Sequence, residues 1–245
     1  MTTPGRDNLR FLLLQMRDAG DPMLRQEVQC FADALPCSPQ RITPHSLLAG
    51  GPSRDTLGRH DMVLIGGSGA YSAAADSPAI ERAMDALREL HALRKPTFGS
   101  CWGFQALARA LGGECRHDPQ TAELGPVQLT LTPGAAADPV FRALPATFIG
   151  HAGHEDRVTR LPPGSTLLAS SARVAEQAAR FGDGPIYATQ FHPELTRQAF
   201  LERVAAYPKY IEAILGISLQ QLSEACVETP EANTLLRRMV EVVLP

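Results

Sequence analysis

The sequence predicts an α/β fold, with an open and mostly parallel sheet, helices on both of its faces and a helical C-terminal extension. Short apolar runs that end in glycine, such as residues 61–65 before the Gly-Gly-Ser-Gly of residues 66–69, are typical of strands buried on both sides. Segments of helical periodicity separate these runs, and strands that alternate with helices favour a parallel sheet. The last part of the chain has only the helical pattern.

The first part of the chain contains two predicted strands and two predicted helices. Residues 9–14 and 61–65 are predicted to be buried strands, residues 23–35 a helix and residues 48–52 a loop. A second helix is predicted from Ser77, because apolar side chains then recur at three- and four-residue steps and form one stripe that faces the core. These apolar residues are Ile80, Ala83, Met84, Leu87 and Leu90.

A very short strand, residues 97–99, is predicted to lead through a turn at residues 100–102 into another helix. That helix is expected to continue to Leu111 and to end at the two glycines 112 and 113. Further strands are predicted at residues 127–132, 148–149, 167–168 and 186–190, with turns at residues 133–134 and 162–164.

The C-terminal extension is predicted to contain several helices. Pro208 is expected to interrupt the helical pattern of residues 197–245. Thr229 is expected to cap a last helix with Pro230 at its first position. We find no internal repeat and no low-complexity linker. The sequence therefore predicts one catalytic domain over residues 1–196, with the extension packed on the same domain.

Composition excludes several classes of protein. The 245 residues are 44% hydrophobic and 20% charged, with a formal net charge of −3 and no block of Lys or Arg. We therefore expect neither a nucleic-acid partner nor a membrane partner, and we expect a cytoplasmic protein. The five cysteines lack CxxC spacing, which argues against a disulfide framework and a zinc ribbon. No cofactor and no metal are predicted.

Residues 99–103, Gly-Ser-Cys-Trp-Gly, have the pattern of a nucleophile elbow with cysteine in place of serine. A short predicted strand precedes them and a predicted helix follows. Glycines leave room for a strained backbone at Cys101, and the helix N-terminus favours its thiolate. The N–H of Trp102 can donate to an oxyanion. A turn that contains a buried cysteine would match the pattern equally well.

A histidine and a carboxylate follow another predicted strand. Residues 190–194 read Gln-Phe-His-Pro-Glu. A cysteine nucleophile needs a nearby base, and the base needs a third group that orients it. His192 and Glu194 can fill these roles if both strands end at the same edge of the sheet, where open α/β sheets place their sites. We therefore predict a catalytic triad of Cys101, His192 and Glu194.

Together the two motifs resemble those of the class I, triad-type glutamine amidotransferases. The likeness lies in Gly-Ser-Cys-Trp-Gly-Phe-Gln at residues 99–105 and in Gln-Phe-His-Pro-Glu at residues 190–194, and further matches run from about residue 9 to residue 196. The chain resembles the free-standing members that are related to the amidotransferase domain of GMP synthase. The resemblance implies a flavodoxin-like core.

The resemblance also assigns further site residues. Gly66 and Gly67 match the family's glycine-rich loop, which implies that Gly66 borders the substrate and that Gly67 supplies the second oxyanion N–H, beside that of Trp102. Gln105 matches a position near the bound glutamine.

Two segments in the middle of the chain also resemble the family. Glu-Leu-Gly at residues 123–125 resembles the family's E-[IL]-G segment. Residues 153–158 resemble the S-H-x-D-x-V segment, whose backbone holds the amino acid end of glutamine. This likeness assigns Gly153 and His154 to substrate binding, although Gly153 stands where the family usually has serine.

The resemblance implies hydrolysis of the glutamine side-chain amide through a γ-glutamyl thioester on Cys101, with ammonia passed to an acceptor. The sequence contains no G-x-x-x-x-G-K-[ST] loop and no room for a synthetase. The acceptor enzyme is therefore expected to be a separate chain, or absent.

Three alternatives stay open at this point. The protein is a glutamine amidotransferase that feeds a partner, or a free-standing hydrolase or transferase of γ-glutamyl amines or peptides, or a binding or regulatory protein with an unused triad. A metal site is a weaker fourth idea, since the four residues His151, His154, Glu155 and Asp156 cluster in sequence but lack the spacing of H-E-x-x-H.

Overall fold

The computed structural model describes residues 8–208 and 211–244, which form a nine-stranded mixed sheet and a separate two-stranded one. The large sheet has the order β2-β1-β3-β4-β11-β10-β9-β6-β7, and β5 pairs with β8. The strands are β1 (Phe11–Gln15), β2 (Ile42–Ser46), β3 (Met62–Ile65), β4 (Thr97–Ser100), β5 (Glu114–His117), β6 (Glu123–Leu131), β7 (Thr147–His154), β8 (Asp156–Arg160), β9 (Thr166–Ser171), β10 (Ala178–Arg180) and β11 (Ile186–Thr189).

Five strands at one end of the large sheet are parallel: β2, β1, β3, β4 and β11. Numbered among themselves along the chain, they follow the order 2-1-3-4-5 of a flavodoxin-like sheet. The strands β10, β9, β6 and β7 extend the sheet through antiparallel pairs. The parallel core confirms the predicted fold class, and the antiparallel half makes the sheet mixed.

Helices cover both faces of the sheet. They are α1 (Met23–Ala34), α2 (Arg54–Gly58), α3 (Pro78–Ala92), α4 (Trp102–Ala110), α5 (Pro133–Ala137), α6 (Arg197–Ala206), α7 (Leu219–Ala225), α8 (Pro230–Asn233) and α9 (Leu235–Val243), with a π-helical turn at Ile211–Leu215. In the described part of the chain, none of these helices has the length and apolar character needed to span a membrane.

The strand β1 shows how the two apolar cores arise. Alternate side chains of a strand point to opposite faces, so Phe11 and Leu13 enter one core while Leu12 and Leu14 enter the other. The first core also contains side chains of α1, α8 and α9, and the second contains those of α3 and α4. The parallel strands are thus buried on both sides, as their apolar runs predict.

Several elements differ from the predictions. The strand β2 was not predicted, because Ile42 is its one buried residue and Pro44 lies within it. Proline is tolerated there since β2 is the edge strand of the sheet. The short strands β5, β8 and β10 were also missed. The predicted turn at residues 133–134 is wrong, because these residues begin the short helix α5 with Pro133 in its first turn.

The C-terminal helices begin close to the predicted positions. The helix α6 ends at Ala206, shortly before Pro208, and α8 begins at Pro230. The hydroxyl of Thr229 caps no helix N–H and instead lies 3.4 Å from the side-chain oxygen of Asn233. The division of the chain between residues 196 and 197 stays a prediction. Of the two predicted ranges, residues 1–7, 209, 210 and 245 lie outside the described part.

Candidate active site

Cys101 lies in the turn between β4 and α4 with a strained backbone, at φ 51° and ψ −99°. Few L-residues adopt this conformation, and it persists only when the surroundings enforce it. A Cβ on Gly99 would lie 2.9 Å from the Gly103 carbonyl carbon, and one on Gly103 would lie 2.7 Å from the Ile65 carbonyl oxygen. Both glycines are therefore needed for the close approach of helix and strand that forms the turn.

His192 and Glu194 follow β11, the parallel neighbour of β4, so they meet Cys101 at the carboxyl edge of the sheet. His192 Nδ1 lies 2.7 Å from Glu194 Oε1, and the other carboxylate oxygen accepts a hydrogen bond of 2.8 Å from Ser100. The N–H of His192 donates to the carbonyl of His151. The triad side chains are buried, and the Glu194 carboxylate has partners on both oxygens.

The electrostatics favour an imidazolium beside a carboxylate. Burial alone would lower the pKa of His192, but the Glu194 carboxylate and the contact with Cys101 raise it to about 9. Burial alone would raise the pKa of Glu194, but His192 and Arg203 lower it to about 2. Glu194 is therefore an anion at neutral pH that can stabilise a proton on His192.

The thiol of Cys101 contacts polar groups on two sides. Its sulfur lies 3.7 Å from the carbonyl oxygen of Gly153 and 3.5 Å from Nε2 of Gln190. Gln190 Oε1 accepts from Gln105, whose Nε2 also donates to the carbonyl of Asp156 at 2.7 Å. Gln105 thus connects the segment that carries Gly153 to the side chain that contacts Cys101.

The two predicted oxyanion donors differ in whether their N–H groups already donate a hydrogen bond. Trp102 is the first residue of α4, so its N–H has no acceptor within the helix and can serve a ligand. The N–H of Gly67 donates to Glu27 Oε1 at 3.0 Å. The buried Glu27 carboxylate also accepts from Gln15 and Arg17. In this structure the Gly67 N–H is therefore occupied by a carboxylate.

Gly66 contacts the same carboxylate. A Cβ on Gly66 would lie 2.3 to 2.4 Å from the carboxylate atoms of Glu27, so the carboxylate or the loop would have to shift. Gly66 thus lets the loop after β3 pack directly on a buried charge. Gly67 lies close to the triad, since its Cβ position is 3.2 Å from His192 Cε1 and 3.9 Å from Cys101 Cβ.

A cavity of about 230 Å³ opens above the triad. Its lining contains Gly67, Trp102, Gln105, Gly153 and His154 among the predicted site residues. The imidazole of His154 is buried, and both of its nitrogens are engaged, one with Glu123 at 3.1 Å and the other with the carbonyl of Asp156. Its predicted part in substrate binding would therefore fall to its backbone. Part of the wall comes from α6 and from Tyr207 just after it.

Sequence reasoning did not identify four groups that hold the site together. They are Ser100, Gln190, Glu27 and Arg203. Ser100 and Gln190 lie inside the two recognised motifs, so their positions alone were a signal. Glu27 and Arg203 lie on the helices α1 and α6, and a charged residue of a helix normally faces solvent.

The sequence cluster considered for a metal does not converge on one point. His151 is stacked on Phe200 and lies 2.9 Å from the carbonyl oxygen of Val227, whereas His154 faces Glu123. Asp156 accepts from Ser72 and contacts His117. Within residues 8–208 and 211–244 no group of three or more His, Cys, Asp or Glu side chains could hold a metal ion.

Comparison with curated proteins finds relatives among GMP synthases. The chain is 36% identical to the glutamine-hydrolysing GMP synthase of Thermosipho africanus over 112 residues, which is 46% of this chain and 21% of that protein. It is 36% identical to a glutamine-hydrolysing GMP synthase subunit from Ignicoccus hospitalis, over 42% of this chain and 52% of the relative. The chain therefore spans about a fifth of the first relative and about half of the second.

A third relative and the solved structures match over more of their length. The corresponding GMP synthase subunit of Sulfolobus acidocaldarius is 34% identical over 58% of this chain and 72% of the relative. The crystal structure of a glutamine amidotransferase from Thermotoga maritima superposes with a TM-score of 0.73 at 21% identity, over 96% of this chain and 97% of that one. This structural likeness supports the fold.

The family profile described as glutamine amidotransferase class-I matches residues 48–206, which include the glycine-rich loop, the cysteine elbow and the histidine–glutamate pair. With the triad geometry described above, this match places the protein in the class-I glutamine amidotransferase family.

Proposed function

We propose that the protein hydrolyses the side-chain amide of glutamine through a covalent intermediate on Cys101 and releases ammonia for an acceptor. One observation carries this proposal: a cysteine on a strained elbow lies beside a buried His192–Glu194 pair at the bottom of a cavity. The arrangement combines a nucleophile, a base and a group that orients the base, which acyl transfer requires.

The proposed reaction has two stages. The Cys101 thiolate, whose proton is already held by His192, attacks the amide carbon. The tetrahedral adduct then breaks its C–N bond as His192 protonates the departing nitrogen. Ammonia leaves and a γ-glutamyl thioester remains. His192 then takes a proton from water, and the hydroxide attacks the thioester. The C–S bond breaks, glutamate leaves, and the Cys101 thiolate beside the protonated His192 is restored.

Backbone N–H groups would stabilise the tetrahedral oxyanions. We assign this role to Trp102 and Gly67, and a donor of this kind typically contributes about 3–4 kcal/mol to lowering the barrier. The Gly67 N–H can contribute only after it leaves the Glu27 carboxylate, to which it donates here. Gly66, Gln105 and the backbone of Gly153 and His154 are proposed to surround the glutamyl part.

The acceptor of the ammonia is proposed to be a separate enzyme. The relatives from Ignicoccus hospitalis and Sulfolobus acidocaldarius are each named as one subunit of GMP synthase, so in those proteins the matching chain is part of a larger enzyme. We propose that this chain likewise supplies ammonia to a synthetase partner, and we expect weak glutaminase activity from the isolated chain.

Release of glutamate from glutamine by the purified protein tests the proposal. We expect wild-type release that disappears in Cys101→Ala and persists in Cys37→Ala, which removes a half-buried cysteine remote from the triad motifs. Equal release by wild type and Cys101→Ala would refute the nucleophile assignment. Absence of release with or without a candidate synthetase would refute glutamine as the substrate.

A second candidate function is hydrolysis or transfer of γ-glutamyl amines or peptides by the same triad. The observation that favours it is the size of the cavity, about 230 Å³, which continues from Cys101 along α6. Phe200 and Val204 of α6 line the same cavity as Cys101, so a group on the amide nitrogen would have side chains to contact. Faster acylation of Cys101 by a γ-glutamyl peptide than by glutamine, followed by mass spectrometry, would favour this function.

A further inference from the structure

An arginine of the C-terminal helices reaches the carboxylate of the triad. Arg203 on α6 places Nη1 3.3 Å from Glu194 Oε1 and 3.5 Å from His192 Nδ1. Its side chain is 9% exposed, so water screens this contact weakly. Glu194 Oε1 therefore accepts from two donors, the imidazole and the guanidinium.

A glutamine on α1 fixes the direction of this arginine. Gln26 Oε1 accepts from Arg203 Nε at 2.9 Å, while Gln26 Nε2 donates to the carbonyl of Ala199 at 2.8 Å, one turn earlier in α6. The same amide thus binds both the backbone and the side chain of α6. This double contact holds the guanidinium toward Glu194 rather than toward solvent.

A cation in this place has two effects on His192. It shares the charge of Glu194, so less of that charge acts on the imidazole, and it directly opposes a second positive charge close by. Both effects make the imidazolium a better proton donor. His192 must give up its proton to the leaving nitrogen, so an acid that is too weak would slow the reaction.

We propose that Arg203 is a positioning residue of the active site, which holds Glu194 in place and tunes proton transfer by His192. The helix α6 is then part of the catalytic machinery and not only packing. This role of Arg203 follows from the triad geometry, and it rests on the proposed function only for the identity of the substrate.

Other charged or titratable groups also lie near His192, and the variants proposed below leave these groups unchanged. Besides Glu194 and Arg203 they are Cys101 at the start of α4, His151 on β7, and Arg17 after β1 with its partners Glu27 and Asp21. The ion pairs of Arg17 largely compensate its charge. Arg203 is the cation that contacts Glu194 directly.

Alkylation of Cys101 by iodoacetamide as a function of pH tests the proposal without any substrate. The rate is measured by mass spectrometry of the Cys101 peptide, and its upper inflection reports loss of the His192 proton beside the thiolate. We expect this inflection to rise by about one pH unit in Arg203→Met. Arg203→Lys keeps the charge and should stay near the wild type.

The matched control is Arg197→Met on the same helix. Arg197 donates to the carbonyls of Cys226 and Ser223, so its loss weakens the attachment of α6 without touching the triad. We expect a lower unfolding temperature and an unchanged inflection. An equal shift in Arg197→Met, or an unmoved inflection in folded Arg203→Met, would overturn the proposal.

A second variant covers the case in which Arg203→Met does not fold. Gln26→Met keeps the volume of the side chain and removes both contacts with α6. We expect the inflection to shift in the same direction by a smaller amount. An unmoved inflection in folded Gln26→Met, with Arg203→Lys also at the wild-type value, would refute the role of a held cation. Because no substrate is used, failure to hydrolyse glutamine does not affect either result.

Discussion

At the scale of single residues, the buried pair of His192 and Glu194 connects stability to pH. The pKa of His192 is raised to about 9. The stability that the pair contributes is therefore complete below the ordinary pKa of 6.5 and is lost as the pH rises through 9. The pKa of Glu194 is lowered to about 2, so the contribution is complete above 4.5 and is lost as the pH falls through 2. One interaction underlies both shifts, and it is counted once.

Glu194→Gln is therefore expected to destabilise the protein most between about pH 4.5 and 6.5. The difference in unfolding temperature from the wild type should shrink as the pH rises toward 9, because the wild-type imidazolium then loses its proton. Thermal unfolding followed by circular dichroism from pH 4 to 9 measures this difference. A difference that grows between pH 6.5 and 9 would contradict the assignment of the pair.

Gly66→Ala is expected to lower the free energy of unfolding by about 1–3 kcal/mol, the usual cost of overpacking. The new methyl group would lie within 2.4 Å of the Glu27 carboxylate, which its buried partners hold in place. Urea unfolding measures the loss.

The control for Gly66→Ala is Gly58→Ala, since nothing lies within 4 Å of the Cβ position of Gly58 at the end of α2. We expect this control to be neutral or slightly stabilising, because glycine is a poor helix former. Equal losses in both variants would show that the carboxylate is free to move aside.

The motifs predicted which residues meet at the sheet edge better than they predicted the residues that support them. Cys101 and His192 each follow a predicted strand, so the rule for parallel sheets was enough to expect them at one edge. Arg203 gave no such signal, because its role depends on how α6 rotates and packs against α1. The Gly67 N–H was assigned by resemblance, and its bond to Glu27 depends on a side chain 40 residues earlier.

At the scale of elements, α6 is both a wall of the cavity and the carrier of Arg203. Its N-cap is Thr196, whose hydroxyl accepts from the N–H of Ala199 at 3.2 Å. The helix has ten residues, so a weakened first turn affects much of its length. The start of α6 was predicted from sequence, whereas the edge strand β2 was missed because burial gives it no alternating pattern.

Thr196→Ala is expected to lower the free energy of unfolding by about 1 kcal/mol, because the first turn of α6 loses a hydrogen-bond acceptor. Ser77→Ala removes the matching N-cap of α3, whose hydroxyl accepts from the N–H of Ile80 at 3.3 Å. We expect a similar loss of stability there, and urea unfolding of both variants measures the two losses. A loss in Thr196→Ala far below that in Ser77→Ala would show that the Thr196 hydroxyl does not stabilise the start of α6.

At the scale of the whole molecule, the C-terminal helices belong to the core of the sheet. Side chains of α9, including Leu235 and Leu236, join the same apolar cluster as Phe11 of the first strand and Phe31 of α1. The sequence predicted that the extension packs on the catalytic domain, and periodicity could not say which face it would cover. A helix that completes a core adds stability to the whole domain.

Leu236→Ala is expected to lower the free energy of unfolding by about 2–5 kcal/mol, as for other fully buried leucines. Val242→Ala in the same helix truncates a side chain that is 40% exposed. This variant should change the free energy of unfolding by less than about 0.5 kcal/mol. Urea unfolding of both variants measures the two changes in the free energy of unfolding. A small effect of Leu236→Ala would mean that α9 is only loosely attached.

The place of α9 in the core has a consequence for the order in which the protein folds during synthesis. A nascent chain that has left the ribosome only as far as residue 228 already carries Cys101, His192, Glu194 and Arg203, but one face of its sheet lacks the side chains of α8 and α9. Such a chain exposes apolar surface and is prone to aggregate or to bind chaperones. The triad is therefore expected to become rigid only once the last helices have emerged.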